Sequence, residues 1–424
     1  MRINRDKLNL LLIILFFLSD SRLFYLIPFP NVLGGAASNK TLVGSVALIC
    51  FAIYLVTNHG KIKLQNYGKT IFNFFIILII QGIYEKFEYG YAFSTILFSM
   101  IPYFCLLMYF PIFDVCKSNF DKILNIMEYV TIILGALLLT QAFIYDRTHH
   151  IFLNFTISDW YTIYHPNAKG RFYTVAEGFV KCMPLISFYK ILDKVNGEKE
   201  FIHYLSLVMS ILMIVFVDQS RIYLITELIC VLIMYFIIDI RKLTLEKVLG
   251  FISVLFIVMM IVIPKIFTVI GTIGDLSDGS YYARTDAISY YAHTLTGFQK
   301  ILGLGIVIPS EGTMGFSLIK GPLGIYNYDD IGLMGIFASL GIVGVVWYIY
   351  IMSKNFALSK KVNDLYLRGL SFGLTYLMIF SAFTLSYLDK ERIMALLLTM
   401  VIIDHAYYES SKKQGEINGS DYYN

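Results

Sequence analysis

The chain has 424 residues, of which 57% are apolar and only 15% are charged. A soluble domain carries about 25% charged residues, so this composition cannot cover a water-facing surface and excludes a soluble enzyme, a disordered protein and a nucleic-acid-binding protein. The formal net charge of +4 is too small to indicate a polyanionic partner. The composition therefore predicts a protein embedded in membrane lipid.

Apolar segments long enough to cross a bilayer recur along the whole chain. A transmembrane helix needs about 20 mostly apolar residues, and no soluble domain of ordinary size fits between the candidate segments. The pattern predicts one all-α integral membrane domain over residues 1–424, with about twelve transmembrane helices. The expected spans are residues 8–28, 40–57, 70–84, 92–111, 123–145, 172–190, 203–218, 221–240, 247–270, 331–352, 367–387 and 392–408.

The positions of lysine and arginine predict how these spans are oriented. Cytoplasmic loops are enriched in both residues, and 20 of the 34 fall in the inner segments when the amino terminus is placed inside. Both termini are therefore expected in the cytoplasm. The two longest connections, residues 146–171 and 271–330, then lie on the outer side, and loops of this length are usually either functional or disordered.

The second long loop has a pattern of its own. Polar and aromatic residues recur at helical spacing from Tyr281 to His293, which predicts a short helix lying at the outer surface. The inner loops are short and carry neither a P-loop nor a dinucleotide-binding motif. No nucleotide cofactor is expected, and the chain is not predicted to bind cytoplasmic ATP.

Three arginines of the outer half are candidate ligands for a lipid diphosphate: Arg171, Arg221 and Arg284. The guanidinium group matches phosphate oxygens and stays charged at any relevant pH. The alternative interpretation is that these side chains snorkel to the interface or pair with local acids such as Asp218 and Asp286.

Four residues are candidate catalytic bases: Glu227, His293, Asp329 and Asp330. Glu227 follows Arg221 by six residues, or about 9 Å along a helix, and an intramembrane carboxylate indicates function by default. Local hydroxyl groups are the structural alternative for Glu227, and an interfacial position is the alternative for His293. The two aspartates directly precede an expected helix, so they are also candidate helix caps.

Tyrosines crowd the same outer segments, and Tyr281, Tyr282 and Tyr291 are candidate stacking platforms for sugar rings. Tyrosine and tryptophan also form belts at membrane interfaces without any binding role. The sequence leaves both interpretations open.

The order of the short motifs in the second half resembles the O-antigen polymerase and O-antigen ligase superfamily of bacterial envelopes. The resemblance covers about residues 170–350 by motif and the whole chain by layout. It rests on the segments 218–221 (DQSR), 283–286 (ARTD), 303–305 (GLG), 327–335 (NYDDIGLMG) and 340–344 (LGIVG).

This resemblance implies a multispanning glycosyltransferase that acts on glycans attached to undecaprenyl diphosphate. Arginines matching Arg221 and Arg284 would bind the diphosphate, and neither a metal nor another cofactor would be required. The ligase branch typically has a histidine before its Gly-Leu-x-Gly helix, close to an asparagine. This chain has Asn327 but no histidine between Thr294 and Asn327, which favours the polymerase branch.

The sequence therefore predicts an inverting repeat-unit polymerase of O-antigen (lipopolysaccharide), capsule or exopolysaccharide. Its partners would be an undecaprenyl-diphosphate-linked oligosaccharide and, as a further candidate, a chain-length regulator. Its active site would face the periplasm or the exterior of the bacterial inner membrane. The alternatives are an O-antigen ligase and a flippase or transporter of lipid-linked oligosaccharide.

Overall fold

The computed structural model describes residues 5–27, 36–155, 176–193, 200–218, 220–238, 279–308 and 314–415. Within these ranges the chain forms helices and connecting turns, and it forms no β-strand. The helices are α1 (Arg5–Asp20), α2 (Ala36–Thr57), α3 (Gly68–Tyr89), α4 (Phe93–Met100), α5 (Tyr109–Thr148), α6 (Glu177–Asp193), α7 (Glu200–Leu212), α8 (Arg221–Ile237), α9 (Gly279–Thr294), α10 (Gln299–Leu302), α11 (Met314–Lys320), α12 (Gly332–Lys360), α13 (Leu365–Ser381) and α14 (Ile393–Lys413).

The helical membrane character predicted from composition is confirmed. Six helical stretches of the described residues are long and apolar enough to cross a membrane, and two shorter apolar helices, Tyr223–Ile237 and Leu365–Ser381, accompany them. The number of twelve spans and their orientation stay predictions, and the expected span 247–270 lies outside the described residues. The six stretches are Lys40–Thr57, Gly68–Tyr89, Phe93–Thr148, Glu200–Val217, Gly332–Lys360 and Ile393–Lys413.

The expected spans 92–111 and 123–145 belong to one long helical stretch. A 3₁₀ segment, Ile101–Met108, joins α4 to α5 and has proline at its start, where the missing N–H costs nothing. The only break inside α5 is at Asn119, where φ is −141°. The break lies between the two expected spans, and the chain passes from one to the other through a kink at Asn119 rather than through a loop.

Helix α14 is enclosed by the bundle over most of its length. Every residue from Ile393 to Ala406 is buried. Residues 393–403 are apolar on nearly all their faces, and such a helix is stable only inside a bundle. It contacts α5, α6, α12 and α13. The short connection before α14 is consequently held at one end of the bundle.

A polar network closes the opposite end of the bundle. Asp404 lies eleven residues beyond the start of α14, or about 16 Å along the helix, and its buried carboxylate accepts hydrogen bonds from Asn66 and Tyr109. Tyr67 beside them donates to Asn355 on α12. These bonds tie the start of α3 to α5, α12 and α14. The network lies at the opposite end of α14 from the charged turn described in the next section.

Helix α12 is interrupted at Gly341, whose φ of +64° belongs to the left-handed region. A Cβ atom there would lie 2.1 Å from the carbonyl oxygen of Ile301, so only glycine allows α10 to approach this closely. The interruption leaves the Ala338 carbonyl free to accept a hydrogen bond of 2.7 Å from Leu304. The motif at residues 303–305 is therefore attached to α12 through the backbone.

Candidate functional site

Four consecutive charged residues, Asp389 to Arg392, form the turn that leads from α13 into α14. The Arg392 guanidinium is paired with the Asp389 carboxylate. The backbone N–H of Glu391 donates to the same carboxylate at 3.1 Å. The enclosed start of α14 fixes the position of this turn, so its charges are held in place although they lie at the edge of the bundle.

The turn before α12 meets this charged segment. Asp329 lies in the 3₁₀ turn Tyr328–Asp330, and its carbonyl oxygen accepts a hydrogen bond of 3.2 Å from Arg392. The backbone N–H of Leu333 donates to the carbonyl oxygen of Ala382 at 2.7 Å. Two connections that are about 60 residues apart in the chain are thereby joined.

A small cavity opens between these two connections. Its wall combines the acids Asp329 and Asp389, the amine of Lys390 and the hydroxyl groups of serine and tyrosine. The lining residues are Tyr103, Ile306, Ile308, Tyr328, Asp329, Gly335, Ile336, Ser339, Leu340, Ser386, Leu388, Asp389 and Lys390.

The segment after the motif at 303–305 forms the third side of the cavity. The buried carboxylate of Glu85, in the last turns of α3, accepts hydrogen bonds from the backbone N–H groups of Ile306 and Val307. On the other side of the segment, the Lys390 ammonium donates to the Ile306 carbonyl oxygen at 3.2 Å. Glu85 and Lys390 together fix the position of this backbone.

Burial shifts the ionisation of the acids in the cavity. Burial, followed by the nearby Asp389 carboxylate, raises the pKa of Asp329 to about 7, although Lys390 and Arg392 oppose the shift. Burial also raises the pKa of Asp389 to about 6 against the effect of Arg392. Burial lowers the pKa of Lys390. Asp329 is therefore an acid that exchanges its proton close to neutral pH.

A further cation faces the two aspartates of the 3₁₀ turn. The Lys320 ammonium, at the end of α11, donates to the Asn327 side chain at 3.2 Å. Burial lowers the pKa of Lys320, while the charges of Asp329 and Asp330 act in the opposite sense. We refer to Lys320, Asp329, Asp330 and the segment 389–392 as the charged cluster.

Two of the predicted bases belong to this cluster. Asp329 lines the cavity and Asp330 is half-buried beside it. The expected role of these aspartates as helix caps is not seen, because the residue preceding the first turn of α12 is Ile331 and no side chain bonds to that cap position. Their carboxylates are left to interact with the neighbouring cations.

Glu227, the third predicted base, lies outside the cavity, within α8. Its side chain is buried, and among the described residues neither of its carboxylate oxygens has a hydrogen-bond partner. Lys181 of α6 is the charged side chain that acts on it.

The structure places His293 and Tyr291 on different faces of α9. His293 is exposed and does not line the cavity. Tyr291 is fully buried, donates a hydrogen bond to the carbonyl oxygen of Ile319, and has its ring 5.3 Å from those of Tyr290 and Tyr328. In this position Tyr291 packs α9 against Tyr328, which lines the cavity.

The remaining predicted residues do not line the cavity in the part of the chain that the structure describes. The expected surface helix is present as α9, whose first turns contain Tyr281 and Tyr282, and Arg284 on the same helix is half-buried. Arg221 is the first residue of α8. Arg171 lies outside the described residues.

The reasoning from sequence missed the segment 389–392, as well as Lys320 and Glu85. The signal for the segment was present, since four adjacent charged residues are rare in a chain with 15% charged residues. The expected span 392–408 assigned Arg392 to a membrane helix and so separated it from Asp389, Lys390 and Glu391.

Comparison of the sequence with models of known protein families and with curated protein sequences finds no match.

Proposed function

We propose that this protein is a repeat-unit polymerase of a bacterial polysaccharide. It transfers a glycan from undecaprenyl diphosphate to a hydroxyl group of a second lipid-linked unit. The observation that carries the proposal is that Asp329 and Lys390 line one cavity and that Arg392 is bonded to the carbonyl oxygen of Asp329. A twelve-span topology with both termini in the cytoplasm puts this end of the bundle on the outer face of the membrane.

The reaction has two charges to stabilise, and the cavity offers a group for each. The acceptor hydroxyl loses a proton as its oxygen bonds to the anomeric carbon, and Asp329, with a pKa of about 7, accepts that proton. The bond from the anomeric carbon to the diphosphate oxygen breaks at the same time. Arg392 and Lys390 stabilise the negative charge that the leaving diphosphate gains. Such a direct displacement inverts the anomeric centre.

We assign the base to Asp329 rather than to Asp330, Glu227 or His293, because Asp329 lines the cavity together with Lys390 and is bonded through its carbonyl oxygen to Arg392. Arg221 and Arg284 keep their proposed role at the diphosphate, with Arg171 as a third candidate. These arginines belong to the outer connections of the proposed topology, as the charged cluster does.

The test uses the native bacterium with its chromosomal copy deleted and variants supplied on a plasmid. Asp329→Asn should abolish long polysaccharide, leave the protein level unchanged and let single lipid-linked units accumulate on the outer face. Asp114→Asn at the other end of the bundle, where Asp114 pairs with Lys117 at 3.4 Å, is the matched control and should make polymer. Long polysaccharide made by Asp329→Asn would reject the assignment.

One observation favours transport of a lipid-linked oligosaccharide as a second candidate function. Glu128 of α5 and His203 of α7 form a buried pair at 2.7 Å, and ionisable groups inside a membrane bundle mark ion and proton pathways. The two functions differ in the intermediate that the deletion leaves behind. Loss of a flippase holds the single units on the inner leaflet, whereas loss of a polymerase leaves them outside.

A further inference from the structure

A buried lysine approaches the charged cluster from the side of α6. Lys181 has no exposed surface, and its ammonium lies 3.3 Å from the centre of the Tyr223 ring on α8. A cation over an aromatic face is attracted to it, and more strongly when water is excluded. The other charged groups that act on Lys181 are Arg392, Asp218, Glu391 and Asp389.

Close packing brings Lys181 beside the start of α14. A Cβ atom at Gly178, one turn before Lys181, would lie 3.0 Å from the Cα atom and the carbonyl oxygen of Arg392. Helix α6 therefore touches the backbone of the charged cluster. Two cations, Lys181 and Arg392, share a buried region in which like charges repel strongly. Asp218, Asp389 and Glu391 offset part of this repulsion, and a bound anion would be attracted by both cations.

Glu227 occupies the adjoining position on α8. It follows Tyr223 by four residues, so the two side chains share one face of the helix, and the ammonium over the Tyr223 ring lies at that face. Glu227 is 3% exposed, and neither of its oxygens accepts a hydrogen bond from the described residues. A buried carboxylate is costly unless an opposite charge accompanies it, and Lys181 is the cation that acts on it.

We propose that Lys181 is a further cation of the diphosphate site, in addition to Arg392 and Lys390, and that Glu227 is one of its counter-charges while the site is empty. This inference rests on the proposed function. The ammonium is a point charge on a flexible four-carbon stem, so it can turn from Glu227 toward an anion held at Arg392. Asp218, which lies just before the start of α8, also attracts Lys181. It therefore favours a position of the ammonium near the start of α8.

The two roles predict effects of opposite sign on anion binding. Lys181→Gln removes a charged ligand and should weaken binding about tenfold or more, whereas Lys181→Arg keeps the charge and should stay within about threefold of the native protein. Glu227→Gln removes the competing carboxylate and should tighten binding. A residue pair that served only to hold α6 against α8 would weaken binding in both variants.

The experiment measures the binding of undecaprenyl diphosphate and of inorganic pyrophosphate to the full-length protein in detergent. Each variant is first checked by gel filtration and by its melting temperature. Lys190→Gln is the matched control, because Lys190 is a buried lysine of the same helix whose ammonium pairs with Asp121 at 3.1 Å, away from the cavity. Binding of both probes identifies a site for the diphosphate itself, and binding of the lipid alone shows that the isoprenoid chain is also recognised.

Weaker binding by Lys181→Gln, together with tighter binding by Glu227→Gln and unchanged binding by Lys190→Gln, would support the proposal. Native affinity in Lys181→Gln, or equal weakening in the Lys181 and Glu227 variants, would overturn it and leave the proposed polymerase intact. Absence of binding by the native protein to either probe would overturn both the inference and the proposed function.

Discussion

Arg392 donates a hydrogen bond of 3.2 Å to the carbonyl oxygen of Asp329 and also pairs with the carboxylate of Asp389. One guanidinium thus joins the turn before α12 to the turn before α14. It holds the acid with a pKa of about 7 at a fixed position beside positive charge. In the proposed reaction, this arrangement places the proton acceptor Asp329 next to the guanidinium that stabilises the leaving diphosphate.

Replacement of Arg392 should remove most of the activity. Arg392→Gln is expected to lower polymer synthesis about 10²–10³-fold, the usual effect of losing one group that stabilises developing negative charge. Arg392→Lys should recover only part of it, because an ammonium cannot bind a diphosphate oxygen and the Asp329 carbonyl in the same fork geometry. Polymer length and amount are read on gels of extracted polysaccharide at matched protein level, and native polymer in Arg392→Gln would contradict this role.

The rate should depend on pH through Asp329. The carboxylate is the active form, so the rate should fall as the pH drops below about 7. The Asp389 carboxylate raises the pKa of Asp329, so Asp389→Asn should lower that pKa and move the acidic limb of the profile to lower pH. The profile is measured with purified protein and lipid-linked substrate. An acidic limb that stays in place, or that moves to higher pH, would argue against Asp329 as the base.

Much of the fold follows from local sequence, because long apolar runs have few alternatives to membrane helices. The segments around 40–57, 70–84 and 331–352 lie within helices that begin and end within a few residues of the expected limits, except that α12 extends to Lys360. The interval 111–123 expected between two spans contains the break at Asn119, but the break is confined to that residue, and neither Lys117 nor Lys122 interrupts the helix.

The site was only half visible in the sequence. Asp329 and Asp330 stood out because charged residues directly precede an apolar helix. Arg392, which bonds to Asp329, did not stand out because it is about 60 residues away. Glu85 did not because it is more than 200 residues from the segment at 306–307 that it holds. Local spacing carries no information about such contacts, which depend on how α3, α12 and α14 pack together. The burial of Lys181 is likewise set by the contact of α6 with α8 and α14.

The network at the other end of the bundle should contribute stability rather than activity. Asp404→Ala would leave the buried donors of Asn66 and Tyr109 without their acceptor, at a cost of about 1–3 kcal/mol for each. We expect a clearly lower melting temperature in detergent, and Asp404→Asn should lose less because it keeps the shape and one acceptor. Polymer made per folded molecule should remain close to native. An unchanged melting temperature in Asp404→Ala would show that these bonds do not stabilise the bundle.

The proposed topology can be checked by labelling two exposed positions with a membrane-impermeant maleimide. Lys300→Cys on α10 should react in intact cells, whereas Lys413→Cys at the end of α14 should react only after the membrane is opened. All five native cysteines are buried, so the background is expected to be low. Labelling of Lys413→Cys alone in intact cells would reverse the orientation and place the charged cluster in the cytoplasm.

The most direct test of the central claim is a reaction in liposomes that contain only the purified protein and its lipid-linked repeat unit. The native protein should release undecaprenyl diphosphate as the glycan lengthens, with one diphosphate released for each unit added. Asp329→Asn and Arg392→Gln should neither release the diphosphate nor lengthen the glycan, although their melting temperatures should show that both are folded. Chain growth by these variants at the native rate, or chain growth by the native protein without release of the diphosphate, would contradict the account.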